Sequence, residues 1–214
     1  MVIEILRSHC KPHLRQIGAL MNDKTIKYWM GQAVRNRELL CALLGSLRAE
    51  DLESGLLCLS EDVLNRQLAP VLLSAASPFL HQFQISFANN MIFIDARGSA
   101  KQAGPFHAML MFSVESLQFE PGSHLLRARY REDVRSLGNP AQALMLKMFA
   151  GNRGFLSQLF SAFSRKLPGI TADSSVLSAN LDLLPVASSL PFQHLKLRYL
   201  ACDDGYLKLQ FAFV

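Results

Sequence analysis

Apolar and polar positions follow two rhythms along this chain, one helical and one alternating. From Val2 to about Ala49 no β-branched run occurs, and Ala33, Leu40, Leu43, Leu44 and Leu47 gather on one side of a helix, so two or three short helices are predicted. Ser54 to Leu59 reads as a turn with a short extended exit. Ser60 then offers an N-cap, Glu61 and Asp62 suit the positive end of a helix dipole, and Val63, Leu64, Leu68, Val71, Leu72 and Ala75 follow at helical spacing. Pro70 is expected to bend or end that helix. After Pro78 the period becomes two: Phe83, Ile85 and Phe87 alternate with polar residues, Asn89-Asn90 marks a turn, and Met91 to Asp95 returns.

The stretch Phe106 to Val114 is apolar in both alternating sets, so both faces of that strand need cover. Pro121-Gly122 turns the chain into His124 to Val134, where Leu126, Ala128 and Tyr130 share one side and Leu125, Arg127, Arg129 and Arg131 the other. Asn139 and Pro140 open a helix predicted to run toward Leu167 with an interruption at Gly151 to Gly154, apolar over more than one stripe. The hairpin Leu195 to Cys202 and Tyr206 to Phe213 closes the chain. The expected class is α+β: a curved antiparallel sheet packed on the long Pro140 helix, which alone is apolar enough to cover it. A helical segment over residues 1–55 precedes an α+β domain over 56–214.

Composition narrows the function. At 214 residues, half of them hydrophobic and 18% charged, the chain can bury a full core. Its net charge of +5 favours anionic surfaces but falls short of a dedicated nucleic-acid binder, and no basic and aromatic motif interleaves. No apolar stretch is long enough for a membrane-spanning helix. The amino terminus lacks secretory features, so a cytoplasmic location is expected, or a periplasmic one if the native start differs. Cys10, Cys41, Cys58 and Cys202 have no metal-ligand spacing.

No nucleophile elbow, phosphate loop, dinucleotide fingerprint or HExxH is present, so no catalytic residue, metal ligand or cofactor is nominated. His9 and His13 straddle Pro12, and His81, His107, His124 and His194 lie in different elements with no acidic partner evident. Two features remain. Phe, at 14 residues, and Met, at 8, supply adaptable apolar bulk, which suits a groove for acyl chains lined by Met109, Met111, Met145, Met148, Phe149 and Phe160. An ordinary filled core is the alternative. Arg127, Arg129 and Arg131 form a strip that either meets an anionic headgroup or protects an edge strand.

The order of elements from Leu59 onward resembles the tubular lipid-binding superfamily in its small bacterial single-domain form, related to periplasmic lipoproteins. The likeness rests on Leu59-Ser60-Glu61-Asp62-Val63-Leu64-Asn65 opening a helix, the hairpin at Asn89-Asn90, the strands Phe106 to Val114 and His124 to Val134, and the Pro140 helix ending in Leu167-Pro168-Gly169. It implies a curved sheet wrapped around a long helix, enclosing an elongated apolar groove. The expectation is non-enzymatic binding of a lipid or other amphiphile, with an anionic membrane surface as further partner and no nucleic acid. A protein interaction module or homodimer with a self-filled core is the rival.

Overall fold

The computed structural model describes residues 50–51, 54–77, 79–100, 103–164, 168–173, 175–183 and 195–213. The helices expected over residues 2–49, together with Cys10, Cys41, His9 and His13, and His194 farther on, lie outside the described residues. The described chain runs β1 (Leu56–Ser60), α1 (Glu61–Ala75), β2 (Leu80–Ala88), β3 (Met91–Ala100), β4 (Gly104–Glu120) and β5 (Ser123–Ser136). It continues with α2 (Pro140–Ala150), α3 (Phe155–Phe163), β6 (Ile170–Asp173), β7 (Val176–Asn180), a 3-10 turn (Leu181–Leu183), β8 (Leu195–Asp203) and β9 (Tyr206–Phe213). This is an α+β fold built on a curved antiparallel sheet.

The sheet order is β1-β9-β8-β4-β5-β7-β6, with β3 also paired to β4 and β2 to β3. Strand β4 is long enough to serve two neighbours in succession: Gly104 to Phe112 pair with β3, and Phe119 pairs with Leu197 of β8. The two branches meet again through their turns. Asn89 and Asn90 take positive φ, as do Asp204 and Gly205, which lets each hairpin reverse in two residues. The Asn90 side chain then accepts hydrogen bonds from Tyr199 Oη (2.5 Å) and the Cys202 N–H (3.1 Å), fastening one turn to the other hairpin.

Helix α1 covers the free edge of β2. Asn65 presents its amide like a neighbouring strand, accepting from Ile85 N–H at 2.6 Å and donating to Ile85 C=O at 2.8 Å, while Glu61 Oε2 accepts from Phe87 N–H. Glu61 therefore serves the sheet edge rather than only the helix dipole, and the unpaired edge cannot recruit another strand there. Ser60 Oγ accepts from Val63 N–H, the cap its sequence position suggests. The helix does not end at Pro70 but continues to Ala75, with Pro70 on its exposed side.

The long Pro140 helix is two helices. After α2 the chain passes through residues 151–154 before α3 begins, with Gly151 at φ 52° and Gly154 at φ 88°. Both helices cover one face of the sheet, where Phe106, Ala108, Leu110 and Phe112 of β4 and Ala128 and Tyr130 of β5 are buried. Alternation does what the pattern requires on that face.

Candidate functional site

Helix α2 is made locally. Asn139 Oδ1 accepts from Gln142 N–H and Gln142 Oε1 accepts from Asn139 N–H, a reciprocal capping box, and Pro140 occupies a first-turn position where no amide hydrogen is missed. Only Leu146 of this helix is buried, against Phe106, Ala108 and Phe155. Leu144, Met145, Met148 and Phe149 face outward, with Met148 at 67% exposure, and Leu137 just before the helix is exposed too. Lys147, on the same helix, and Arg153, three residues past its end, are exposed, with no ion pair among the described residues. Not one acidic residue occurs between Asp133 and Asp173. An apolar helix side flanked by cations is thus open to its surroundings.

The six residues predicted to line one groove are divided among three places. Met145, Met148 and Phe149 are exposed on α2. Phe160 of α3 is partly buried, packed against the core cluster that contains Leu110, Phe112 and Leu156. Met109 and Met111 alternate with the buried set of β4 and so occupy the opposite face of the sheet, half-buried across from Asp133 and Arg131. A strand cannot send Leu110 and Met111 into one cavity, so a groove lined by all six is not assembled.

The arginine strip keeps the predicted alternation: Ala128 and Tyr130 are buried while Arg127, Arg129 and Arg131 point outward. Their surroundings differ from expectation because β4 carries a bulge between Val114 and Ser116. The extra residue, Glu115, reaches both Arg127 (3.1 Å) and Arg129 (2.9 Å), so one carboxylate is shared between two of the three guanidiniums. Arg131 has no ion pair among the described residues. It instead lines an open cleft of about 290 Å³ with Tyr130, Glu132, Arg153 and Asp173.

Glu132 organises that cleft. Its carboxylate accepts from Phe155 N–H (2.6 Å) and Leu156 N–H (2.9 Å), satisfying the first orphan donors of α3 from the neighbouring strand. Gly154 is needed twice over, since its φ is 88° and a Cβ there would stand 2.5 Å from Glu132 Oε1. The signal was present in the pattern: Glu132 continues the inward series Leu126, Ala128, Tyr130, and an acid in a buried register must find donors.

Two histidines do have acidic partners. His107 Nε2 lies 3.0 Å from Asp95 across β3 and β4, and buried His124 holds Asp182 at 2.5 Å with its ring edge-on to Phe119. Sequence separation hid both pairs, which register and the 3-10 turn bring together. Asp182 also accepts from His124 N–H, so this contact pins the turn to β5. Cys202 is fully buried and bonded to Met91 C=O, and burial first, then the Asp203 charge, pushes its thiol up to about 11, which keeps it unreactive near neutrality. Among the described residues no cluster of His, Cys, Asp and Glu could hold a metal ion, and no helix is long and apolar enough to cross a membrane. Comparison of the chain with known protein families, with curated proteins and with solved structures finds no match.

Proposed function

We propose that this protein is a non-enzymatic binder of lipids or other amphiphiles, engaging an anionic lipid surface with the outward side of α2. The observation that carries the reading is the exposure of Leu144, Met145, Met148 and Phe149 on one short helix that also carries exposed Lys147, with exposed Arg153 just past its end. Fully burying one such side chain contributes roughly 1.5–3 kcal/mol, so even shallow insertion of several outweighs the cost of docking a surface helix. Each cation near an anionic leaflet adds about 1 kcal/mol. An apolar helix side rimmed by cations and free of acids fits an amphiphile better than an acidic-and-basic mixed protein surface. The likeness to tubular lipid-binding proteins belongs to this proposal, supported by a curved antiparallel sheet with helices on one face. The continuous groove does not belong to it.

Co-sedimentation with phosphatidylglycerol vesicles and with phosphatidylcholine vesicles tests the reading. Wild type should pellet with the anionic vesicles, less so as salt rises, and Met148→Glu should stay in the supernatant while keeping its thermal midpoint. Failure of wild type to pellet with anionic vesicles contradicts the proposal. If, in addition, sedimentation velocity shows a dimer that Met148→Glu dissolves, the same helix side is a homodimer interface.

A further inference from the structure

We draw no further inference here: the strongest candidate, the outer face of the sheet, where Phe93 of β3 and Met109 and Met111 of β4 lie half-buried with Arg131 and the His107–Asp95 pair on the side away from α2 and α3, carries nothing, since nothing among the described residues shows what covers it.

Discussion

Helices α2 and α3 are neighbours in sequence and both largely apolar, yet the fold treats them differently. Phe155, Leu156 and Ser157 of α3 are buried, its first amides are held by Glu132 from the sheet, and Leu159 and Phe160 extend the core around Phe112 and Tyr130. Helix α2 contributes Leu146 to that core and leaves four large apolar side chains outside. The difference teaches that apolar content does not decide burial. A tertiary cap draws α3 into the sheet, whereas the capping box of α2 is satisfied by Asn139 and Gln142 alone and binds the helix to nothing else.

The contrast breaks most visibly at two phenylalanines that meet edge to face at 5.7 Å. Phe155→Ala should cost about 3–5 kcal/mol in urea unfolding, because it empties a packed site. Phe149→Ala, at 40% exposure, should cost under about 1 kcal/mol. Equal losses would erase the distinction between the helices.

Glu132→Gln comes next. It removes the charge and one acceptor oxygen from the start of α3, and a loss of about 1.5–3 kcal/mol is expected, with faster amide exchange at Phe155 and Leu156. Unchanged stability would mean that packing alone holds α3. The smallest effect belongs to Asn139→Ala, about 1 kcal/mol, confined to α2. Accelerated exchange in α3 as well would show that the two helices unfold as one unit.

Much of this architecture was legible in the residues. The alternation of Phe83, Ile85 and Phe87, the Asn89-Asn90 turn, and the split of β5 into Ala128 and Tyr130 against three arginines all follow from period and turn chemistry. Local caps at Ser60 and Asn139 were legible for the same reason, since each acts within three residues. What the pattern does not reveal is which partner a face meets. Met109 and Met111 share composition with α2 but not a side of the sheet, and Glu115 reaches Arg127 and Arg129 only because of a bulge. His124 and Asp182 are 58 positions apart, and only the folded register joins them.

The central claim, that the outward side of α2 is kept open for an amphiphile, is tested most directly by amide hydrogen exchange on the full chain with and without phosphatidylglycerol vesicles. Residues 140–150 should exchange more slowly when vesicles are present, while residues 155–163 stay unchanged, because docking stabilises the surface helix and leaves the buried one as it was. Vesicle-bound protein whose α2 amides exchange as fast as in the free protein would contradict the claim.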